Sequence, residues 1–269
     1  MKDRNKYYLK RLYEFYKVLK TEFDNYDVAP EYFTGEAGNP NTLKCRIFEF
    51  ATSLFSRGDF PQILSNDEYQ ELNSGLLYHG YRDFDHGANM ICHFNYHRGQ
   101  GMYGCGLYVK DDKNKAFAYT KFDNLGDVNE WNIDKVLEMK YLSEKSIINL
   151  KLKNLSTLVS GGKDVSSVTT DRQEINNIND IYEFVKTEIQ DEYMGKKFLR
   201  MFDLDPSILA LYLGYDRVDI YNRDFVFDQA ILLDRGKVVV NENEAKKFIE
   251  KSDHYKSGSF DFVYDTAKE

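Results

Sequence analysis

The order of its apolar segments constrains the fold of this chain more than any other feature. Before residue 75 the apolar residues recur at helical spacing, whereas from Gly75 onward short apolar runs are separated by turns, a pattern typical of strands. Further helical stretches follow, but helices and strands do not alternate as they do in a doubly wound parallel sheet. The sequence therefore predicts an α+β fold.

Three parts are expected along the chain. An N-terminal helical extension covers residues 1–74, the main domain covers 75–245 and a C-terminal tail covers 246–269. In the main domain we expect strands at 76–79, 106–109, 136–141, 147–152, 217–220, 229–233 and 237–240. Helices are expected at 113–120, at 178–189 and from Pro206, which suits a first helical turn, to just before Gly214.

The chain begins with a basic amphipathic segment. Between Lys2 and Lys20 there are seven basic residues and two acidic ones, and the apolar residues are spaced for one face of a helix. Such a helix could bind a membrane surface or a partner, or it could pack on the main domain with its lysines in water. We favour the packed helix. Its apolar stripe consists of Tyr8, Leu12, Phe15, Tyr16, Leu19 and Phe23.

Composition argues against several classes of protein. No run approaches the roughly 18 apolar residues of a membrane span, and the basic N-terminus lacks the apolar stretch of a secretory signal, so we expect a cytoplasmic protein without stable membrane insertion. The three cysteines include no CxxC pair, which disfavours a disulfide framework or a cysteine zinc site. A net charge of −8 disfavours broad attraction to nucleic acid.

Three short motifs carry the candidate chemistry. The first is Leu77–Gly80, an apolar run that ends in His-Gly. The second is a GCGLY run that ends at Tyr108, followed by a predicted helix with a second tyrosine, Tyr119, eleven positions later. The third is a Gly-Tyr-Asp turn at 214–216, followed by a strand that starts at Gln229. Glycine, aromatic and polar residues thus recur in a definite order.

In this order the motifs resemble those of the ADP-ribosyltransferase superfamily, in the branch with a His-Tyr-Glu set that includes the PARP-like and diphtheria toxin-like enzymes. The resemblance implies a split β-sheet core with flanking helices, NAD+ as co-substrate and no metal. It also implies a pentosyl-transferring glycosyltransferase, which releases nicotinamide through an oxocarbenium-like state and passes ADP-ribose to an acceptor.

For the first motif, the resemblance implies that His79 bonds a hydroxyl of the adenosine ribose and that Gly80 offers backbone groups to the nicotinamide carboxamide. Glycine suits this role because a side chain would keep the backbone away from the ligand. Arg82 and His86 follow this strand and could approach the phosphates of NAD or lie at the surface. A purely structural histidine is the alternative for His79.

For the second motif, the resemblance places Tyr108 and Tyr119 on either side of the nicotinamide ring. Aromatic faces attract a pyridinium cation by about 0.5–2 kcal/mol. The family often has a serine where this chain has Ala116, so one hydrogen bond to the carboxamide would be missing. The alternative is a glycine hairpin with core tyrosines.

For the third motif, the resemblance places Gln229 where the family has its catalytic glutamate. Glutamine keeps a hydrogen bond to the nicotinamide ribose but loses the charge that stabilises the breaking glycosidic bond. The loss of one such contact typically lowers a rate by about 10²–10³. The implied catalytic set is therefore His79, Tyr108 and Gln229, and the departure at 229 counts most strongly against polymer formation.

Two other segments have competing interpretations. His86, His93 and His97 could form a metal site, but no fourth ligand is evident and an irregular loop beside the nucleotide is favoured. The Gly161-Gly162-Lys163 segment could help to choose the acceptor, although a solvated loop is favoured. It lacks the spacing of a Walker loop.

Two functions remain open from the sequence. The first is a mono-ADP-ribosyltransferase that modifies a macromolecule, a protein in preference to a nucleic acid, as an effector, a toxin or a phage-encoded modifier of host proteins. A composition poor in proline and rich in asparagine, lysine and tyrosine is compatible with a bacterial or phage source. The second is a weak or inactive protein of the same fold that binds NAD, ADP-ribose or a protein partner.

Overall fold

The computed structural model describes residues 3–23, 43–58, 60–92, 100–101, 103–120, 132–143 and 145–255. These residues contain ten α-helices and ten strands, which confirms the α+β class. The helices are α1 (Asp3–Phe23), α2 (Leu43–Leu54), α3 (Asn66–Glu71), α4 (Phe84–Cys92), α5 (Lys113–Phe117), α6 (Asn149–Gly161), α7 (Arg172–Glu188), α8 (Glu192–Leu204), α9 (Pro206–Leu213) and α10 (Glu242–Lys251). The strands are β1 (Gln62–Leu64), β2 (Leu77–Gly80), β3 (Gln100–Gly101), β4 (Gly104–Cys105), β5 (Leu107–Val109), β6 (Val136–Tyr141), β7 (Ser146–Ile148), β8 (Arg217–Tyr221), β9 (Phe227–Leu232) and β10 (Val238–Asn241). Within the described part of the chain, no helix has the length and apolar character needed to cross a membrane.

The strands form two four-stranded sheets and one two-stranded sheet. The first sheet has the order β1-β10-β6-β2, the second has the order β5-β9-β8-β7, and β3 pairs with β4. Among the described residues, one pair of backbone hydrogen bonds links the two larger sheets, since Tyr78 in β2 and Lys110 after β5 exchange N–H to C=O bonds of 2.8 Å. The strands that carry the first and second motifs are therefore neighbours.

The second sheet separates two hydrophobic cores. Side chains alternate between the faces of a strand, so Ile231 in β9 faces one core while Ala230 and Leu232 face the other. The helical core includes Leu9, Leu12, Ile47, Phe48, Ile181, Phe198, Ile208, Val218 and Ile231. The inter-sheet core, which also receives α4 and α10, includes Leu77, Met90, Val109, Leu137, Met139, Ala230, Leu232, Val240 and Phe248.

Helix α1 packs on the helical core, as favoured from its sequence. Leu9, Leu12 and Leu19 are at most 1% exposed. Burial of each such side chain stabilises the fold by roughly 1.5–3 kcal/mol. Lys6 on its polar side forms an ion pair of 2.6 Å with Glu188 in α7. The buried leucines of α1 are thus used for packing, whereas Tyr7 and Val18 of the same helix are exposed.

One segment of the expected N-terminal extension and one of the expected C-terminal tail pack with the main domain. Strand β1, within residues 1–74, pairs in parallel with β10, and Gln62 lies opposite Val239. The expected boundary between residues 245 and 246 falls inside α10, whose Ala245, Phe248 and Ile249 are buried. Both segments therefore add to the first sheet or to the inter-sheet core.

The structure corrects two expectations about local structure. The strand expected at 147–152 ends at Ile148, and α6 begins at Asn149 because Leu152, Leu155 and Val159 are buried at helical spacing. The expected loop at 161–163 contains the end of this helix, which Gly162 closes with a left-handed φ of 65°.

The prediction of an irregular loop beside His86 is also wrong, because residues 84–92 form α4. Gly87 is buried within this helix, and a Cβ atom there would lie 2.1 Å from the ring of Phe248. Glycine is therefore used at this position to let α4 approach α10. His93 and His97 lie outside the described residues.

Candidate active site

His79 lies where the two larger sheets meet. Its Nδ1 is hydrogen-bonded to the backbone carbonyl oxygen of Tyr108 in β5. Because a carbonyl oxygen can only accept, we assign the ring proton to Nδ1, which leaves Nε2 as an acceptor in the neutral ring. Burial lowers the pKa of His79 to about 4, although the bond to Tyr108 acts in the opposite direction. At neutral pH this side chain can therefore accept a hydrogen bond from a hydroxyl group.

The two glycines before Tyr108 are required by the backbone. Gly104 and Gly106 have φ angles of +115° and +145°. A Cβ atom on Gly104 would lie 2.3 Å from Asp205 Oδ1, and one on Gly106 would lie 2.4 Å from Ile231 Cγ2. Asp205, at the start of α9, also accepts a hydrogen bond of 3.1 Å from the backbone N–H of Cys105. The glycine pair thus fixes the turn that leads into β5.

Tyr108 is held by its own turn. Its hydroxyl donates a hydrogen bond of 2.7 Å to the carbonyl oxygen of Gly104. Its ring packs against the helical core, and burial raises the pKa of the hydroxyl well above its usual range. Tyr108 therefore remains protonated and serves as an aromatic surface with a fixed orientation.

Gln229 lies on the neighbouring strand, on the same face as Tyr108. In the antiparallel register Tyr108 pairs with Ile231 and Val109 with Ala230, which places Gln229 opposite Lys110. Residues two apart on a strand share a face, so Gln229 and Ile231 point to the side of Tyr108. The half-buried side chain of Gln229 makes no hydrogen bond to another described residue.

Tyr119 and Lys110 complete this edge of the sheet. The ring of Tyr119 is 45% exposed, and the Lys110 ammonium lies 5.6 Å from its centroid. Lys110 also forms an ion pair of 3.0 Å with Asp228, the residue before Gln229. We call Lys110, Asp228, Tyr119 and Gln229 the Lys110 cluster. The sequence does not point to Lys110 or Asp228, because lysine and aspartate are common and the spacing of 118 residues carries no local signal.

The remaining expected ligand residues have other contacts. A Cβ atom on Gly80 would lie 2.1 Å from the carbonyl oxygen of Ala116, so this glycine allows α5 to lie directly on β2. Ala116 is itself buried, whereas Arg82 is exposed. His86 lies 2.6 Å from Asp83 through its Nδ1. A packing role for Gly80 and Ala116 therefore exists independently of any ligand.

The Gly-Tyr-Asp turn holds several chain segments together. Asp216 is fully buried and bonds Arg57 through one oxygen and Lys237 and Ser143 through the other, each of the last two at 2.6 Å. Its backbone oxygen accepts a further bond of 2.6 Å from Tyr141. Burial opposes ionisation, but the bonds from Lys237 and Ser143 and the charge of Arg57 lower the pKa of Asp216. We call these five residues the Asp216 cluster.

A separate cavity of about 260 Å³ lies beside the other end of β2. Its walls are formed by Ser74, Gly75, Leu76, Leu77, Asp111, Tyr141, Arg217 and Phe227. None of the site residues expected from the sequence lines it, and its volume is below the 300–1,000 Å³ or so of most ligand pockets. Among the described residues, no group of three or more His, Cys, Asp or Glu side chains is arranged to hold a metal ion.

Comparison with protein-family models, curated proteins and solved structures finds no match for this chain.

Proposed function

We propose that this protein is a mono-ADP-ribosyltransferase that cleaves NAD+ and transfers ADP-ribose to a macromolecule, a protein in preference to a nucleic acid. The contact between His79 Nδ1 and the Tyr108 carbonyl supports the proposal most directly, because it joins two motif residues 29 positions apart. The same contact leaves Nε2 as the acceptor that a ribose hydroxyl needs.

The aromatic residues support binding of a cation. The Lys110 ammonium already lies over the exposed ring of Tyr119 at 5.6 Å, so this face attracts positive charge. In the proposed complex Tyr119 faces the nicotinamide pyridinium, and the half-buried ring of Tyr108 forms the opposite wall. Gln229 on the same face donates or accepts a hydrogen bond with the nicotinamide ribose.

The proposed reaction is a substitution at the anomeric carbon of the ribose. The carbon–nitrogen bond to nicotinamide breaks, and its electron pair leaves with nicotinamide, which becomes neutral. The positive charge moves to the ribose until a nucleophile of the acceptor bonds the anomeric carbon and loses its proton to water. A site that excludes water and orients the acceptor supports transfer over hydrolysis.

The test is release of labelled nicotinamide from NAD by the purified protein, alone and with a cell extract. We expect release that is abolished in the His79→Ala and Tyr108→Ala variants, with ADP-ribose label appearing in an extract component. The matched controls are His254→Ala and Tyr193→Ala, since both residues are exposed and distant in sequence from the motifs. Equal release by the site variants and their controls would contradict the proposal.

A second candidate function is NAD binding without turnover, and the glutamine at position 229 favours it. In that case the wild-type protein binds NAD but releases no nicotinamide, and Gln229→Glu raises release from an undetectable level. If neither protein binds NAD, the resemblance itself fails.

A further inference from the structure

An irregularity in β9 places a carboxylate beside Gln229. Tyr221 of β8 pairs with Phe227 and Ile220 pairs with Gln229, so Asp228 is an extra residue without a partner on β8. Such a bulge interrupts the alternation of side chains and redirects one of them.

The orientation of the neighbouring residues shows which way Asp228 points. The guanidinium of Arg217 lies over the ring of Phe227, which packs against the inter-sheet core, and Ala230 is buried in that core. Gln229 and Ile231 face the opposite side, that of the helical core and Tyr108. With one residue inserted, Asp228 follows Phe227 and so turns to the same face as Gln229.

The contacts of Asp228 agree with this orientation. Its Oδ1 accepts a hydrogen bond of 3.0 Å from Lys110, which lies opposite Gln229 and contacts the ring of Tyr119. The side chain of Asp228 is 44% exposed, whereas that of Lys110 is 9% exposed. Lys110 bonds one carboxylate oxygen of Asp228, and no described residue bonds the other.

We propose that Asp228 is a catalytic residue, whose carboxylate supplies the negative charge that Gln229 lacks. This inference rests on the proposed transferase function. As the bond to nicotinamide breaks and its electron pair leaves with nicotinamide, the positive charge on the ribose is stabilised by Asp228, while Gln229 bonds a ribose hydroxyl. A pyridinium on Tyr119 repels the Lys110 ammonium, and this repulsion weakens the ion pair when NAD is bound.

The experiment compares a charge at position 228 with a charge at position 229. Labelled nicotinamide release and NAD affinity are measured for the wild type, Asp228→Asn, Gln229→Glu and the double variant with both changes. Asp224→Asn is the matched control, because Asp224 is an exposed carboxylate on the same hairpin. We expect Asp228→Asn to lower release by about 10²–10³-fold with NAD affinity retained, and Gln229→Glu to restore release in that background. Asp224→Asn is expected to release nicotinamide at the wild-type rate.

Loss of a partner for Lys110 could also lower activity by disturbing the fold. The unfolding midpoint is therefore measured for each variant, and Lys110→Met is combined with Asp228→Asn to remove both charges. We expect this pair to remain as slow as Asp228→Asn, and recovery would mean that the unpaired lysine caused the loss.

The outcomes separate the two proposals. Wild-type release that Asp228→Asn retains overturns the assignment of Asp228 and leaves the transferase intact. A wild-type protein that binds NAD without releasing nicotinamide overturns the transferase, and the role of Asp228 with it.

Discussion

The Asp216 cluster and the Lys110 cluster both contain an aspartate that pairs with basic residues, but they differ in burial and in the number of partners. Asp216 is 0% exposed, and both of its oxygens accept hydrogen bonds. The side chain of Asp228 is 44% exposed, and the described residues bond it through one oxygen. A carboxylate whose acceptors are all used inside the protein joins chain segments, whereas one with an open oxygen can still meet a ligand.

The resemblance at the sequence level does not make this distinction. It includes the Gly-Tyr-Asp turn among its motifs, although Asp216 is committed to Arg57, Lys237 and Ser143. It does not single out Asp228, which lies beside the expected catalytic position. Burial and partner number therefore identify Asp216 as a structural residue, which its place in a motif does not, whereas Asp228 is a proposed catalytic residue.

The strongest test of this comparison is Asp216→Ala. The change removes the carboxylate that hydrogen-bonds Arg57 and Lys237 and leaves both with longer contacts, of 3.8 and 3.9 Å, to Asp234. Breaking a buried ion pair typically costs about 3–5 kcal/mol. We expect the free energy of unfolding in urea to fall by that amount. Asp228→Ala should cost less, because the Asp228 carboxylate accepts one hydrogen bond from the described residues, that of Lys110, whereas the Asp216 carboxylate accepts three. Equal losses of unfolding free energy for the two variants would contradict the proposed difference between the two clusters.

A second prediction concerns the turn that supports the Lys110 cluster. Gly106→Ala introduces a methyl group 2.4 Å from Ile231 Cγ2 at a φ of +145°, so we expect a loss of about 2–3 kcal/mol in unfolding free energy. Gly75→Ala is the matched control, since a methyl group at residue 75 would meet no other atom within 4 Å and its φ is not left-handed. A loss at residue 106 no larger than that at residue 75 would show that the turn is not fixed by its glycines.

Much of the secondary structure follows from the sequence because its signals are local. The expected strand at 136–141 coincides with β6, and α9 runs from Pro206 to Leu213, just before the left-handed Gly214, as expected. The start of α6 is not predictable in this way, because Ile147 and Ile148 lead from β7 directly into Asn149 and a short apolar run does not distinguish a strand from a helix.

The candidate site is less accessible to such reasoning. The turn before Tyr108 can be predicted from its two glycines, since positive φ angles favour glycine. The bulge at Asp228 and the contact between Lys110 and Tyr119 depend on strand register and on the packing of α5. No local pattern encodes either of them, because both arise only when distant segments are paired.

A third prediction tests whether the open cluster binds a cation. Tyr119→Leu removes the exposed aromatic face, so NAD affinity should weaken by about 0.5–2 kcal/mol, measured by titration calorimetry. Tyr193→Leu is a close control, because Tyr193 is also exposed and carries a lysine, Lys197, 5.4 Å from its ring centroid. If both variants bind NAD as tightly as the wild type, Tyr119 does not face the pyridinium.

The last comparison concerns pH, where the smallest effect is expected. We expect the contribution of His79 to NAD affinity not to change with pH. An ordinary histidine with a pKa of about 6.5 is mostly protonated at pH 5.5, and its Nε2 can then no longer accept a hydrogen bond. Burial lowers the pKa of His79 to about 4, so its contribution to NAD affinity should be the same at pH 8 and pH 5.5. A loss of affinity over this range that His79→Asn abolishes would show that the ring is not held neutral.

The same pKa shift distinguishes His79 from the Asp216 cluster in the pH dependence of stability. Because the folded pKa of His79 lies below its unfolded value, the unfolded chain binds more protons between about pH 6.5 and 4, and stability falls as the pH falls through that window. Asp216 also has a lowered pKa, but its contribution is fully present above its unfolded value of about 3.8 and is lost only as the pH falls further. In urea unfolding at stepped pH, His79→Asn should therefore flatten the decline above pH 4 and leave the decline below it unchanged. Asparagine suits the comparison because its amide can still donate to the Tyr108 carbonyl without titrating.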